Sequence, residues 1–182
     1  MTFEKTPLQN VWLIKPKIFG DDRGHFLEIY RVHQFKEQGL DYGFVQDNIS
    51  VSKKGTLRGL HYQLPPASQA KLVMVPKGEI LDVAVDMREN SSTFGEHFSA
   101  RLSSENRHMM LIPTGFAHGF SVLSDEATVY YKCNDYYNSE LEKGIKWDDP
   151  ALKINWMVDS PILSEKDQAL PYLDDVDSKH LF

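Results

Sequence analysis

The chain lacks cysteine pairs, long apolar runs and blocks of like charge, and each absence excludes a class of protein. Its only cysteine, Cys133, excludes an intrachain disulfide framework and a multi-cysteine zinc site, and it fits a reducing compartment. No run reaches the roughly 18 apolar residues that a membrane-spanning helix needs. The N-terminus has neither the basic nor the apolar region of a signal peptide. A cytoplasmic protein without a membrane partner is therefore expected.

Charge is spread along the sequence and slightly negative overall, with 20 basic and 26 acidic side chains and a net charge of −6. Because nucleic-acid binders usually carry a basic face or stripe, no nucleic-acid partner is expected. A phosphate ligand would have to be bound by cations within one pocket. At 182 residues with 41% hydrophobic side chains, the chain is predicted to form one folded domain over residues 1–182.

What the sequence does contain is a series of short β-rich runs separated by Gly-, Pro- and Asn-containing turns at intervals of roughly 8–12 residues. This spacing predicts an all-β sandwich or barrel. Only two short helices are expected, one from Arg31 to Gln38 and one beginning near Ser164. The acidic tail beyond Pro171 is expected to lie over the surface. The clearest predicted strands are Lys71–Val75, Ile80–Asp86, His108–Ile112, Gly119–Leu123 and Thr128–Lys132.

The segment 58–63, Arg-Gly-Leu-His-Tyr-Gln, is spaced like half of a metal site in a small β-barrel. Metal-binding barrels of that type have His-x-His here, followed by an acid seven residues before a glycine. In this chain the second histidine is replaced by Gln63, and Lys71 stands seven residues before Gly78. Since an ammonium repels a dication, the site is predicted to hold no metal and to need no cofactor. A cluster of His, Arg and Lys instead suits an anionic substrate and an enolate-type intermediate.

His61 is the candidate proton carrier of this segment. It shares a strand face with Gln63, whereas Arg58 lies on the opposite face unless a bulge at Gly59 brings both to one cavity. A histidine by itself is more often a hydrogen-bonded core residue. Beside Arg58, Gln63 and Lys71, His61 instead favours acid–base chemistry, provided that a carboxylate holds its other ring nitrogen.

Three further segments offer polar side chains to the same pocket. Residues 113–118 predict a turn that feeds a strand and brings His118 toward the barrel mouth. Tyr130 and Tyr131 must face opposite sides of their strand, so one phenol faces the interior, although most strand tyrosines only pack. Gln46 and Asn48 share one face and could recognise a base edge or a sugar.

Together these segments resemble the dTDP-4-dehydrorhamnose 3,5-epimerase family over nearly the whole chain. The resemblance implies an all-β, metal-free cupin-type double-stranded β-helix (jelly roll) with a few short helices. It also implies a homodimer whose N-terminal strands cross to the partner, and a dTDP-4-keto-6-deoxy sugar as substrate. The order and spacing of the matching segments make the match specific: 19–24, 44–48, 57–63, 112–124, 147–150 and 163–167.

The resemblance also implies a role for individual residues. His61 would be the base, Asp167 the carboxylate that orients it, and Tyr131 the acid. Lys71 and Arg58 would lie beside the keto oxygen, His118 would line the pocket, and Tyr137 would stack on thymine. The nucleotide diphosphate would be bound by Arg23, Glu28, Gln46, Asn48, Glu142 and Lys166. The sequence departs from the family at Met157, which follows Trp156 where proline is usual; the departure concerns a loop and not the chemistry.

The chemistry of such a substrate fits this set of residues. A 4-keto group acidifies the protons on C3 and C5, and removal of either gives an enolate with its charge on the C4 oxygen. Inversion then needs two proton carriers on opposite faces, and no redox cofactor. Three alternatives stay open: a single-centre epimerase or ketoisomerase on a related dTDP-4-keto sugar, a metal-dependent cupin, and a non-catalytic sugar-nucleotide-binding cupin.

Overall fold

A computed structural model describes all residues 1–182, and two antiparallel sheets dominate it. One sheet has six strands in the order β1-β2-β10-β7-β12-β5, the other has five in the order β13-β6-β11-β8-β9, and β3 and β4 form a separate hairpin. The strands are β1 Thr2–Lys5, β2 Trp12–Lys15, β3 Ile18–Asp21, β4 Gly24–Leu27, β5 Gln46–Lys53, β6 Leu57–Gln63, β7 Lys71–Lys77, β8 Glu79–Asp86, β9 His97–Ser103, β10 Met109–Ile112, β11 Phe116–Val122, β12 Glu126–Cys133 and β13 Glu142–Gly144.

The main core lies between the two large sheets. Val73 and Val129 of the six-stranded sheet pack in one cluster with Ile80 and Phe120 of the five-stranded sheet. The strand predicted at Ile80–Asp86 is present with one additional residue, Glu79–Asp86, and every residue from Ile80 to Asp86 is buried because both faces of the strand are covered. This arrangement confirms the predicted all-β, cupin-type jelly roll with few helices.

Both predicted helices are present and short. α1 spans Val32–Glu37 and stops before Gly39, which adopts a positive φ of 76°. α2 spans Glu165–Gln168, and the Ser164 hydroxyl caps it by accepting a hydrogen bond from the Asp167 N–H. No helix of the chain combines the length and the apolarity that crossing a bilayer would require.

The tail beyond Pro171 lies over the surface as expected, with most of its residues exposed, and apolar contacts hold it there. Leu173 is buried in a second apolar cluster behind the five-stranded sheet, and Phe182 packs there too. The backbone of Phe182 bonds to Met87 and Glu89. The aspartates between the apolar residues of the tail remain exposed.

Asp149 anchors this C-terminal tail to the barrel through hydrogen bonds. It is buried, and its two carboxylate oxygens accept hydrogen bonds from the N–H of Leu173 at 2.6 Å and of Ala151 at 2.8 Å. The Lys146 N–H donates to the Pro171 carbonyl. These contacts fix the segment that follows α2, and therefore the position of that helix against β6.

Asp86, at the end of β8, is the most heavily bonded buried carboxylate. It accepts hydrogen bonds from the Arg88 guanidinium at 2.9 and 2.7 Å, and from the hydroxyls of Ser91 at 2.6 Å and Thr93 at 2.7 Å. Burial by itself would raise the pKa of Asp86, but these donors outweigh it and lower the pKa to about 2.

We expect Asp86→Asn to lower the free energy of unfolding at pH 7 by about 1–2 kcal/mol. Because the pKa of Asp86 is depressed in the folded protein, its contribution is complete above the unfolded value of 3.8 and is lost as the pH falls toward about 2. Urea unfolding of the wild type and the variant at pH 7, 4 and 2.5 should show the difference shrinking below pH 4. A difference that is the same at all three pH values would contradict this account.

Candidate active site

Two adjoining cavities of about 310 Å³ each open between the sheets and share the side chains of His61, Lys71 and Tyr131. The first cavity extends toward β13, and the second toward α2. The other polar side chains of the first include Gln46, Asn48, Gln63, Tyr137 and Glu142. Those of the second include Ser50, Arg58, His118, Ser164, Lys166 and Asp167.

His61 of β6 and Asp167 of α2 form a close pair, with Nε2 of the imidazole 2.6 Å from Oδ1 of the carboxylate. Asp167 is only 3% exposed. Burial alone would raise the pKa of Asp167, but contacts with His61 and Ser164 outweigh it and lower that pKa. An ionised carboxylate on Nε2 leaves Nδ1 of His61 available for proton transfer. The structure thus places a carboxylate where the sequence required one.

Arg58 and His61 line the same cavity because β6 contains the predicted bulge. Arg58 pairs with Phe120 of β11, and His61 with His118, so the register shifts between them. Gly59 has a φ of 113°, and a Cβ atom there would lie 2.6 Å from the His118 carbonyl oxygen. Only glycine allows this close approach of β6 and β11.

Tyr131 is the interior phenol of β12. Tyr131 lines both cavities, whereas the Tyr130 hydroxyl accepts a hydrogen bond from Lys132 on the opposite face. Burial raises the pKa of Tyr131, which keeps the phenol protonated and able to donate.

Two cations lie beside these proton carriers. Lys71 of β7 stands opposite Cys133, and burial lowers the pKa of its ammonium group. The Arg58 guanidinium donates two hydrogen bonds of 3.1 Å to the Ser52 hydroxyl, which fixes its direction. Nowhere in the chain do three or more His, Cys, Asp or Glu side chains form a cluster able to hold a metal ion.

His118 lies deeper in the barrel, and its Nε2 is 2.7 Å from the fully buried Asp82 Oδ1. Burial lowers the pKa of His118, although Asp82 opposes the shift. Sequence reasoning placed His118 in the pocket but missed Asp82. Its only signal was a carboxylate in the otherwise apolar inner part of the predicted strand Ile80–Asp86.

Five of the residues predicted to bind the nucleotide also lie together. Gln46 donates to Asn48 at 3.1 Å and accepts from the Tyr137 N–H at 2.9 Å. The Tyr137 hydroxyl donates to Glu142, and the Lys166 ammonium forms an ion pair with the same carboxylate. These five side chains therefore form a continuous polar rim around the mouth of the cavities.

Arg23 and Glu28 are not brought to this pocket by their own chain. Arg23 lies in the β3–β4 turn, exposed and paired with Asp21, and Glu28 pairs with Arg31. Both line surface depressions separate from the two cavities, whose lining residues all lie at or beyond position 46. Of the site residues predicted from the sequence, these two alone are not brought into the pocket.

Fold and pocket together define a class: a cupin-type barrel whose cavity is lined by a paired imidazole and carboxylate, a phenol and two basic side chains. A family model described as dTDP-4-dehydrorhamnose 3,5-epimerase matches residues 5–175. The chain belongs to this family, as its motifs predicted.

Three relatives illustrate the similarity. The dTDP-4-dehydrorhamnose 3,5-epimerase of Methanothermobacter thermautotrophicus is 52% identical over 91% of each chain. The crystal structure of the dTDP-6-deoxy-D-glucose-3,5-epimerase from Legionella pneumophila, in complex with dTDP-4-keto-L-rhamnose, superimposes with a TM-score of 0.96 at 46% identity. It covers 99% of this chain and 96% of that one. A 3'-monoepimerase from Streptomyces bikiniensis in complex with dTDP-quinovose superimposes at 0.89 with 34% identity, covering 94% of this chain and 87% of that one.

Proposed function

We propose that this chain, acting as one domain over residues 1–182, is a carbohydrate epimerase. It inverts C3 and C5 of dTDP-4-keto-6-deoxy-D-glucose and gives dTDP-4-keto-L-rhamnose, an intermediate of deoxysugar biosynthesis. The observation that carries the proposal is that one pocket holds a carboxylate-paired imidazole, a protonated phenol and two cations: His61, Tyr131, Lys71 and Arg58. A cytoplasmic location is favoured by the lone buried Cys133 and by the nucleotide-sugar substrate.

In the proposed reaction Nδ1 of neutral His61 removes the proton from C3 or C5, and Asp167 stabilises the imidazolium that forms. The electron pair of the broken C–H bond moves to the C4 oxygen. Lys71 and Arg58 stabilise this enolate, an effect worth about 3–4 kcal/mol per well-placed donor. Tyr131 then gives its phenolic proton to the opposite face of the carbon and recovers a proton from solvent, while the His61 imidazolium releases its proton to solvent. The cycle returns every group to its starting state without a cofactor.

The polar rim provides the binding site for the thymidine diphosphate. Gln46 and Asn48 offer amide donors and acceptors, and Tyr137 offers an exposed ring for stacking on thymine. Lys166 supplies a positive charge for the diphosphate, and Glu142 holds both Lys166 and Tyr137 in place. His118 lines the sugar end of the pocket.

The active form in this proposal is a homodimer in which the N-terminal hairpin reaches the partner's pocket. The β3–β4 hairpin exposes Phe19 and Phe26, at 51% and 67%, and the unpaired edge strand β5 exposes Ile49 and Val51. Such a small hairpin gains stability when its apolar side chains are covered. Arg23 and Glu28, at or just beyond this hairpin, would then complete the nucleotide site of the other subunit.

We expect Arg23→Ala to raise the KM of the dTDP-sugar about tenfold or more, because a charge-assisted bond to phosphate is lost. The matched control is Lys54→Ala, which removes another exposed cation that lines neither cavity. Co-expression of Arg23→Ala with His61→Asn should restore activity, since each hybrid dimer has one complete pocket. If Arg23 acted within its own chain, the hybrid would show no low-KM activity.

The function is tested by incubating the protein with dTDP-4-keto-6-deoxyglucose in deuterated water and following the sugar by NMR. Deuterium at both C3 and C5, with inversion at both, is the expected result. Deuterium at C3 alone would instead identify a single-centre enzyme like the 3'-monoepimerase relative. A ketone found at C3 would identify a ketoisomerase, and no exchange at either carbon a binding protein.

A further inference from the structure

We propose that Ser164 is a positioning residue for catalysis, acting on His61 through the carboxylate of Asp167; the inference rests on the proposed function. The Ser164 hydroxyl makes two contacts, both with Asp167. It donates its proton to Oδ2 at 2.8 Å and accepts the backbone N–H of the same residue at 3.1 Å. Asp167 Oδ1, the other oxygen, lies 2.6 Å from His61 Nε2.

The two contacts of Ser164, together with a backbone hydrogen bond from Gly59, hold the carboxylate plane. A carboxylate held by one oxygen alone can rotate about its terminal side-chain bond, which has a broad preference. With Ser164 on Oδ2, Oδ1 stays directed at His61. Helix α2 cannot supply this precision by itself, because a four-residue helix is marginal without external contacts.

The surroundings of Ser164 separate this role from a structural one. Ser164 is exposed, so loss of its hydroxyl leaves no cavity in the core. The flanking backbone is held independently, by the Thr56–Ile162 bridge before α2 and by the Lys146–Pro171 hydrogen bond after it. A variant at position 164 is therefore expected to keep the fold while loosening Asp167.

Ser164→Ala is expected to lower kcat roughly tenfold with KM unchanged, which is the size expected when one hydrogen bond to a charged group is lost. Ser164→Thr retains the hydroxyl at an open surface position and should restore kcat. A rise in KM with constant kcat would overturn the proposal, since it would mean that Ser164 binds the nucleotide instead.

A double-mutant cycle with Asp167→Ala tests whether the effect passes through the carboxylate. In the Asp167→Ala background, which already lacks the carboxylate, Ser164→Ala should have no further effect on the rate of C–H exchange. A second tenfold loss in that background would show that Ser164 acts elsewhere and would overturn the proposal.

An NMR measurement without substrate keeps this inference distinct from the proposed function. The Nε2–H proton of His61 should give a low-field signal in the wild type and in Ser164→Thr, and this signal should broaden or disappear in Ser164→Ala. An unchanged signal in the alanine variant would overturn the inference whether or not the chain epimerises the sugar. Absence of C–H exchange in the wild type would count against the function alone.

Discussion

Replacing His61 by asparagine is expected to abolish exchange of the substrate C3 and C5 protons with solvent, a loss of about 10²–10⁴-fold or more in rate. His61 is the only imidazole of the cavities that pairs with Asp167, and its second nitrogen, Nδ1, lies 3.9 Å from Glu142 Oε1, beyond hydrogen-bond distance. Asparagine keeps a polar group of similar size beside Asp167, so the variant should fold. It cannot take up a proton near neutral pH, and proton removal should therefore stop.

The measurement is deuterium incorporation into dTDP-4-keto-6-deoxyglucose, followed by NMR over hours so that slow exchange is detected. His33→Asn is the matched control, because His33 lies exposed on α1 and contacts only Glu37. The control should exchange at the wild-type rate. Exchange at the normal rate in His61→Asn would remove His61 as the base, and the deeply buried His118 would become the next candidate.

The core strands were predictable because their patterns are strong. Leu72 and Val73, like the alternating residues of Ile80–Asp86, are apolar at positions that must be buried whatever the rest of the chain does. The bounds of β1 to β4 were not predicted. Each has four residues, as the predicted β10 does, but β10 is buried along its whole length whereas β3 is exposed along its whole length. β13, with three residues, is too short for any period to be visible. Such elements depend on their neighbours more than on their own sequence.

The site was predictable as a set of residue types but not as a geometry. The bulge at Gly59 could be anticipated, because residues 58 and 61 are an odd number of positions apart and would face opposite sides of a regular strand. The role of Asp82 could not be predicted, because its partner His118 lies on another strand. The position of a carboxylate inside an apolar run does not by itself indicate what the carboxylate binds. The two contacts of Ser164 with Asp167 also needed coordinates, since a capping serine is expected at any helix start.

Gln63 stands where metal-binding barrels have their second histidine, and here its amide forms hydrogen bonds with the protein backbone. Its amide nitrogen donates to the carbonyls of Ala67 and Tyr136, and its amide oxygen accepts from the Asn138 N–H. The Gln63 side chain therefore holds the loop that carries Tyr137 in place. Lys71, at the other former ligand position, contributes a charge to the cavity. In the proposed function Gln63 therefore supports nucleotide binding through the Tyr137 loop, and Lys71 supports the enolate.

Replacing Tyr131 by phenylalanine should separate the two proton transfers. His61 and Asp167 are untouched, so proton removal and return on the same face should continue, and the substrate should acquire deuterium with its configuration retained. Inversion should fall by about 10²–10⁴-fold, because phenylalanine has no proton to give to the opposite face. The variant loses a single oxygen atom from a half-buried ring, which leaves the packing of β12 almost unchanged.

Tyr130→Phe provides a control on the same strand, since Tyr130 lines neither cavity and its hydroxyl contacts Lys132 and Asp47. It should epimerise normally, which would show that the effect of Tyr131→Phe depends on the side of β12 and not on strand stability. Product configuration and deuterium content can be read from the same NMR spectrum. If Tyr131→Phe epimerised at the wild-type rate, another group would have to be the acid. If it lost exchange as well, Tyr131 would also be needed for proton removal, and the two-carrier mechanism would fail in its present form.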